Sequence, residues 1–288
     1  MRFVVICLLS LLSTALQAET FLWKVSNGTN VIYLGGTFHL LAESDYPLPA
    51  EFEQAYQRVN WLVFETDIAA LKTPEFQQQF QQAFLLPQGQ TLRSQLNDTT
   101  WQQLKSYCRQ RQIPLPQYQQ MNAQFVSLVL VMHELNRFGM TAEGVDNHFY
   151  NKAVEDGKLT SQLESITTQI QYLANMAAGN ENNLIRQTIA DARQLESMLN
   201  QMRHAWRSGD QQQMTRLGIK PLQRDYPVLY RSLLVERNNN WMPRLHKLLA
   251  HPEAKLILVG ALHLAGPDGL LQQLKQAGYQ VSQLTTVK

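Results

Sequence analysis

Two histidines end short apolar segments near opposite termini of the chain, and the two segments are near copies. The first reads VIYLGGTFH from Val31 to His39, and the second reads LILVGALH from Leu256 to His263. Such runs are typical of strands buried on both faces, and glycine lets the backbone turn sharply at the strand end. Ligands bind at the carboxyl edge of open α/β sheets, so the histidines can meet there if their strands are neighbours. We predict a shared site; the alternative is that each histidine is a satisfied polar group at a turn.

Two glutamates occupy the same kind of position. Glu65 follows the apolar run WLVF, and Glu164 follows a strand-like segment that begins at Lys158. A helix between the first histidine segment and WLVF makes a right-handed crossover between parallel strands, which places Glu65 at the sheet edge of His39. The alternative for Glu65 is a solvated turn residue. Asp146 is either an acid at a helix N-terminus or a site residue, and we favour the helix role.

These residue types fit hydrolytic chemistry. Two imidazoles and one carboxylate form the ligand set of a catalytic zinc site that keeps one position open for water, and a second carboxylate can act as base. The chain has no H-E-x-x-H helix and no G-x-S-x-G elbow, which excludes those two kinds of hydrolase site. Without a metal, His39 or His263 together with Glu65 can act as a general base on water.

Strand and helix signals alternate along the chain, which predicts an α/β fold with a mostly parallel central sheet flanked by helices. Two stretches, residues 70–140 and 166–250, are mainly helical and are predicted to be insertions between strands of the sheet. We expect one domain over residues 19–288, because this length is within reach of a single large α/β domain.

The N-terminus has the layout of a secretory signal peptide from Met1 to Ala18, with a basic residue, an apolar run and small residues before the cleavage point. Cleavage after Ala15 is the alternative. Removal of the leader takes Cys7 with it and leaves Cys108 as the one cysteine, so no internal disulfide is expected. We predict a periplasmic or secreted protein with no transmembrane segment after signal removal.

The charge pattern excludes a nucleic-acid-binding protein. The chain carries 25 Lys and Arg against 23 Asp and Glu, and its formal net charge is +2. It has no basic run and no interleaving of basic with aromatic residues that would neutralise phosphates and stack on bases.

Six short motifs, taken in order, resemble the TraB/GumN family, which includes the Tiki proteins. They are the first G-x-x-H, the E-x-D after WLVF, the G-x-D and L-E pair in the middle of the chain, the R-N before Met242, and the final V-G-A-x-H-L. The resemblance covers nearly the whole mature chain. It implies an α/β fold shared with erythromycin esterase and ChaN, and an activity proposed to be metal-dependent proteolysis in Tiki.

Carried over by position, the resemblance points to five site residues: His39, Glu65, Glu164, Arg237 and His263. We predict an exported metal-dependent hydrolase acting on a peptide or protein substrate. His39, Glu65 and His263 are the expected ligands of a divalent ion (Zn, Mn or Co), and Glu164 and Arg237 are the expected catalytic residues. Glu65 is preferred as the ligand because its strand follows the His39 strand through a single crossover.

Two other functions stay open at this point. The resemblance to ChaN allows a periplasmic haem- or metal-binding protein without turnover, in which Phe38, Trp61 and Leu262 line an apolar haem pocket. In the alternative, those three residues belong to the core. The resemblance to erythromycin esterase allows a metal-independent hydrolase that uses His and Glu.

Overall fold

The structure is a computed structural model that describes residues 19–176 and 178–285. The predicted leader, Met1 to Ala18, lies outside the described residues together with Cys7. The described chain has the predicted α/β fold, a mixed and mostly parallel sheet flanked by helices.

One six-stranded sheet forms the centre of the fold. Its strands are β1 (Glu19–Ser26), β2 (Val31–Thr37), β3 (Trp61–Phe64), β4 (Leu159–Gln162), β5 (Lys255–Gly260) and β6 (Gln280–Thr285). They are arranged in the order β4-β3-β5-β2-β1-β6. The pairs β4/β3, β3/β5 and β5/β2 are parallel, and β1 is antiparallel to both of its neighbours. The strands that carry the two histidine motifs, β2 and β5, are therefore adjacent and parallel, as the shared-site hypothesis requires.

Two strands, β1 and β6, are not among those that the sequence pattern predicts. These two strands form one side of the sheet, and β6 is antiparallel to β1. The sequence of β6, QVSQLT, mixes polar and apolar residues and is exposed or half-buried along its length. It therefore lacks the continuous apolar run by which the buried strands were predicted.

Helices cover the sheet and form the two long insertions. Those up to β4 are α1 (Ala50–Gln57), α2 (Pro74–Phe84), α3 (Leu92–Gln95), α4 (Asp98–Arg111), α5 (Ala123–Arg137) and α6 (Val145–Glu155). Between β4 and β5 lie α7 (Ile166–Ala174), α8 (Glu181–Ala192), α9 (Leu195–Arg207), α10 (Gln211–Met214), α11 (Lys220–Asp225), α12 (Pro227–Tyr230) and α13 (Arg237–Ala250). The last two are α14 (Ala261–Leu264) and α15 (Leu270–Gln276). Short 3-10 turns occupy Glu43–Asp45, Ala70–Lys72 and Leu115–Tyr118, and π-helical turns occupy Thr215–Ile219 and Arg231–Glu236.

The two helical insertions pack against each other. Leu104 and Val126 from the first insertion share a buried cluster with Ile185 from the second. The hydroxyl groups of Ser127 and Thr188 are hydrogen-bonded across the same contact at 2.7 Å. The larger apolar cluster surrounds the sheet itself. Among the described residues, no helix combines the length and hydrophobicity that crossing a bilayer requires.

The two glycines of the first histidine motif do not make the predicted turn. Gly35 and Gly36 both lie inside β2. A Cβ built at Gly35 would stand 2.8 Å from the ring of Phe52, and one at Gly36 would overlap the ring of Phe21. These positions exclude a side chain because aromatic rings pack directly on the strand, so close packing explains the glycines better than a sharp turn does.

Candidate functional site

The carboxyl ends of four parallel strands bring the predicted site residues to one edge of the sheet. Thr37 at the end of β2 pairs with Gly260 at the end of β5, so His39 and His263 follow neighbouring strand ends. The ends of β3 and β4 pair in the same direction. The residues after them, Glu65 and Glu164, stay in register through a backbone hydrogen bond of 2.9 Å from Glu164 N to Glu65 O.

Glu65 is at the centre of this group. Its Oε1 accepts a hydrogen bond of 2.6 Å from the backbone N–H of Gly260, and its Oε2 accepts one of 2.5 Å from Arg237 Nη2. The Nε2 atoms of His39 and His263 lie 3.9 Å and 3.7 Å from Oε1. Burial favours the neutral acid, but the charge of Arg237 opposes it and holds the pKa of Glu65 well below its usual range.

Arg237 ties the two glutamates to His263. Its Nη2 donates to Glu164 Oε1 at 2.7 Å as well as to Glu65, and its Nε donates to Glu164 at 3.1 Å. Its Nη1 faces His263 Nε2 at 3.0 Å and donates to Leu233 O at 3.4 Å. Burial opposes the charge, but the two carboxylates outweigh it and raise the pKa of Arg237. The guanidinium is buried and every one of its nitrogens faces a protein acceptor.

The hydrogen bonds of His263 define its neutral tautomer. Its Nδ1 lies 2.7 Å from Asn238 Oδ1, and the Nδ2 of that asparagine donates to the backbone oxygens of His263 and Asp268. Because the amide oxygen only accepts, Nδ1 carries the proton, and Nε2 accepts from Arg237. Burial and the charge of Arg237 lower the pKa of His263 to about 3 despite the attraction of Glu65. This imidazole is a buried, neutral acceptor.

His39 differs from His263 in both exposure and charge. Its side chain keeps 59% of its surface exposed, and its Nδ1 lies 2.8 Å from Asp146 Oδ2. The other oxygen of Asp146 accepts from Thr37 Oγ1 at 3.1 Å. Its partial burial opposes the charged form, but Asp146 and then Glu65 outweigh it and raise the pKa of His39 to about 9. The Nε2 atom of His39 is therefore oriented toward the cleft by a carboxylate behind the ring.

Glu164 is held by two donors. Besides Arg237, the indole Nε1 of Trp241 donates to Glu164 Oε2 at 3.0 Å. The Trp241 ring also lies 4.4 Å from the His263 ring and 4.7 Å from the guanidinium carbon of Arg237. Burial raises the pKa of Glu164, with Glu65 adding to the effect and Arg237 opposing it. The direction of this shift suits a proton-transfer group.

Two cavities open on the site. The first, of about 330 Å³, includes Glu65 and Asp146 and has an apolar wall of Ile68, Leu71, Leu173 and Leu233. The second, of about 300 Å³, includes Gly260 and His263 and has an apolar wall of Phe38, Met202, Leu222, Leu233, Leu234 and Leu262. His39, Leu233 and Arg237 line both cavities. We call them the Leu71 pocket and the Leu222 pocket.

A known protein family matches the part of the chain that contains this site. The sequence model of the TraB/PrgY/gumN family matches residues 21–283, which contain all five predicted site residues. The chain belongs to the TraB/PrgY/gumN family. No curated protein and no solved structure matches it. The resemblance drawn from the six motifs is therefore confirmed, and its five residues converge in the TraB/PrgY/gumN fold.

The fold of this TraB/PrgY/gumN chain also adds three residues that the sequence analysis did not place in the site. The sequence favours Asp146 as an acid at a helix N-terminus. Asp146 does lie in the first turn of α6, and its carboxylate also accepts hydrogen bonds from His39 and Thr37. Asn238 was visible only as part of the R-N motif. No sequence motif pointed to Trp241 as a site residue. It lies one helical turn after Arg237 and so faces the same side of α13.

One residue suggested for a haem pocket lies elsewhere. Trp61 is the first residue of β3, at the opposite end of that strand from Glu65. Its ring contacts His251 edge-on at 5.7 Å, and the Lys255 ammonium lies 5.1 Å from it. Phe38 and Leu262, by contrast, do line the Leu222 pocket.

The predicted ligands meet around a space that only glycine leaves open. A Cβ built at Gly260 would lie 3.2 Å from Glu65 Oε1, 3.4 Å from His39 Nε2 and 3.6 Å from His263 Cδ2. The separations of 3.7 and 3.9 Å from Glu65 Oε1 to the two imidazole nitrogens are close to the roughly 3.3 Å between tetrahedral zinc ligands. Among the described residues, however, no group of three His, Cys, Asp or Glu side chains is arranged so that it could hold a metal ion as it stands. The donor set fits a divalent metal on two conditions: Arg237 moves off the Nε2 lone pair of His263, and His39, whose pKa is raised to about 9, gives up its Nε2 proton.

Proposed function

We propose that this TraB/PrgY/gumN chain is a metal-dependent hydrolase that cleaves a peptide bond. The observation that carries the proposal is the convergence of two imidazoles on one carboxylate oxygen of Glu65, at 3.9 and 3.7 Å, beside an open cleft. His39, Glu65 and His263 would hold the ion (Zn, Mn or Co). A divalent ion in such a site lowers the pKa of bound water toward about 7 and polarises a carbonyl.

The residues behind the ligands support this assignment. Asp146 accepts from Nδ1 of His39, and Asn238 accepts from Nδ1 of His263. Acceptors of this kind fix the ring orientation of metal-binding histidines and leave Nε2 for the ion. Glu164 is the proposed base. Because Arg237 and Trp241 both donate to Glu164, proton transfer by its carboxylate requires that one of these hydrogen bonds opens.

A metal-independent hydrolase is the second candidate, and a specific observation favours it. In the described site, Arg237 faces Nε2 of His263, whereas Nε2 of His39 has no hydrogen bond and faces the cleft. With Asp146 behind its ring, His39 can take a proton from water as a general base. The raised pKa of His39 then predicts turnover that rises with pH up to about 9.

The test combines metal content with turnover. The purified protein is loaded with Zn²⁺, Mn²⁺ or Co²⁺, its bound metal is measured by mass spectrometry, and cleavage of a fluorogenic peptide library is followed with and without chelator. We expect His39→Ala and His263→Ala to lose metal and turnover together, by about 100-fold or more. Glu164→Gln is expected to keep the metal and lose turnover. The matched control is His133→Ala, on α5 outside the site, which is expected to keep both.

Three outcomes separate the candidates. Turnover that chelator abolishes and metal restores supports the metal-dependent enzyme. Turnover that is insensitive to chelator and increases up to about pH 9 supports the second candidate. Tight binding of haem or metal without cleavage of any peptide contradicts both and makes the protein a binding protein.

We also propose that the protein is exported to the periplasm or secreted. The support is the leader-like layout of Met1 to Ala18, which lies outside the described residues. Mass spectrometry of the protein recovered from the cell envelope is expected to find Glu19, or Leu16 for the alternative cleavage, at the N-terminus. Retention of Met1 on a cytoplasmic protein would contradict export.

A further inference from the structure

The Leu71 and Leu222 pockets meet at the exposed imidazole of His39. Each pocket has its own apolar wall, and both share Leu233 and Arg237 where they join. We propose that the substrate is an uncharged peptide segment with a large apolar side chain on each side of the scissile bond, one for each pocket. This inference rests on the proposed hydrolase function and adds to it the class of substrate.

The bonding of Arg237 argues against an acidic substrate. A cleft arginine commonly binds a carboxylate or phosphate through its free N–H groups. Here Nε faces Glu164, Nη1 faces Leu233 O and His263, and Nη2 faces Glu65 and Glu164. The guanidinium has five N–H groups, and these contacts engage all of them. In the metal-free site a substrate anion would therefore lack a donor here. When Arg237 leaves His263 to admit a metal, the guanidinium that supplies the freed N–H is still paired with Glu65 and Glu164, so an anion would approach two carboxylates.

The remaining walls are uncharged. In the described chain, the Leu71 pocket is otherwise lined by apolar side chains and the neutral polar residues Thr66, Asn147, Gln169 and Tyr172. Beyond the site residues, the Leu222 pocket has Thr37 as its one polar side chain. A charged substrate side chain would lose its hydration against these walls, and the carboxylates of the Leu71 pocket, Glu65 and Asp146, are already paired with Arg237 and His39. An apolar side chain instead gains from leaving water.

The size of the pockets favours one side chain in each. Their volumes of about 330 and 300 Å³ are at the lower end of the range of roughly 300–1,000 Å³ for small-molecule sites. The polar side chains of His39 and Arg237 lie where the two pockets join. This arrangement suits an extended chain whose bond crosses the junction and whose two flanking side chains each enter one of the two pockets.

The first measurement compares internally quenched peptides that differ only at the two residues around one bond. The pairs are Leu-Leu, Leu-Asp, Lys-Leu and Gly-Gly, assayed with the metal-loaded wild-type protein. We expect kcat/KM for Leu-Leu to exceed that of each other pair by about tenfold or more. The same sequences with a non-cleavable reduced bond are tested for binding by fluorescence anisotropy, and the same order of affinities is expected.

The second measurement assigns each pocket to one side of the bond. Leu71→Glu and Leu222→Glu place a carboxylate in one pocket each, at half-buried positions. Each variant is expected to speed cleavage of peptides with Lys on one side only, by about tenfold, and the two variants should act on opposite sides. This gain of cleavage also demonstrates that the variants fold. Val228→Glu, at a 64% exposed position outside both pockets, is the matched control and should leave the preference unchanged.

The outcomes distinguish this inference from the hydrolase proposal. If peptides are cleaved but charged pairs are cleaved as fast as Leu-Leu, the substrate inference is wrong and the hydrolase stands. If no peptide is cleaved but the apolar sequences bind selectively, the hydrolase is wrong and the pockets remain sites for apolar ligands. If the protein neither cleaves these peptides nor binds the apolar ones selectively, the hydrolase proposal and the substrate inference are both wrong. Glutamate variants that alter the same side of the bond would overturn the assignment of one pocket to each side.

Discussion

Two histidines of the same motif have opposite properties in this protein. His39 is exposed beside Asp146, which raises its pKa to about 9. His263 is buried beside Arg237, and its pKa falls to about 3. The two rings also have different hydrogen-bond acceptors. Nδ1 of His39 donates to the carboxylate of Asp146, and Nδ1 of His263 donates to the amide oxygen of Asn238. The presence of two histidines in the same motif predicted a site, but the neighbours of each ring determine which imidazole carries a charge.

Arg237 is the residue on which the buried charges depend. It lies between Glu65 and Glu164, and all three side chains are at most 9% exposed. Arg237→Met keeps much of the volume and removes the charge, which leaves two carboxylates buried without their partner. Removing one partner of such a pair typically costs about 3–5 kcal/mol. We expect a loss of that size in the free energy of unfolding, measured by urea denaturation at pH 7.

Arg224→Met is the matched control for this prediction. Arg224 pairs with its neighbour Asp225 at the surface, and its side chain is 77% exposed. We expect no measurable change in stability, because solvent screens exposed ion pairs. Equal stability losses in the two variants would contradict the structural role of Arg237.

At the scale of elements, the site depends on how closely the start of α6 approaches the loop after β2. Gly144, the N-cap of α6, lies against the backbone of that loop, and Val145 N donates to Phe38 O at 3.0 Å. A Cβ at Gly144 would overlap the carbonyl of His39. Because the obstacle is backbone, rotation of a side chain cannot relieve it. This contact places Asp146 behind the His39 ring.

Gly144→Ala is therefore expected to lower the free energy of unfolding by about 1–3 kcal/mol, the usual cost of overpacking. The variant should also lose turnover beyond its loss of stability, since α6 must move away from the His39 loop. Urea denaturation and kcat/KM on the same preparation check both effects. Glu143→Ala, at the exposed neighbouring position, is the control, and an equal effect there would refute the close-contact explanation.

At the scale of the whole molecule, the two histidines give stability opposite dependences on pH. The folded pKa of His263, about 3, is below its unfolded value of about 6.5, so its contribution is complete above pH 6.5 and is lost as the pH falls toward 3. The folded pKa of His39 is above its unfolded value. Its contribution is complete below pH 6.5 and is lost as the pH rises toward 9.

We expect the urea midpoint of the metal-free protein to be higher at pH 6.5 than at pH 5.5 or pH 8.5. His263→Gln should make the acid side of this dependence shallower, because the variant has no group there to protonate on unfolding. Asp146→Asn should make the alkaline side shallower, because the pKa of His39 then falls back toward 6.5. A wild-type midpoint that is constant over this range would contradict both assignments.

The amino-acid sequence was enough to predict an α/β fold, a resemblance to the TraB/GumN family, and the meeting of His39, Glu65, Glu164 and His263, while Arg237 was implied only by the resemblance. Those four residues could be predicted because strand segments that end in His39, Glu65, Glu164 or His263 are local patterns, and the carboxyl ends of parallel strands share one edge. What each residue can do at that edge depends on contacts between distant parts of the chain. The position of β5 between β2 and β3, the paired strands β1 and β6, and the hydrogen bonds of Arg237 join residues that are far apart in the chain. Local sequence patterns do not encode such contacts, because they depend on how whole helices and strands pack.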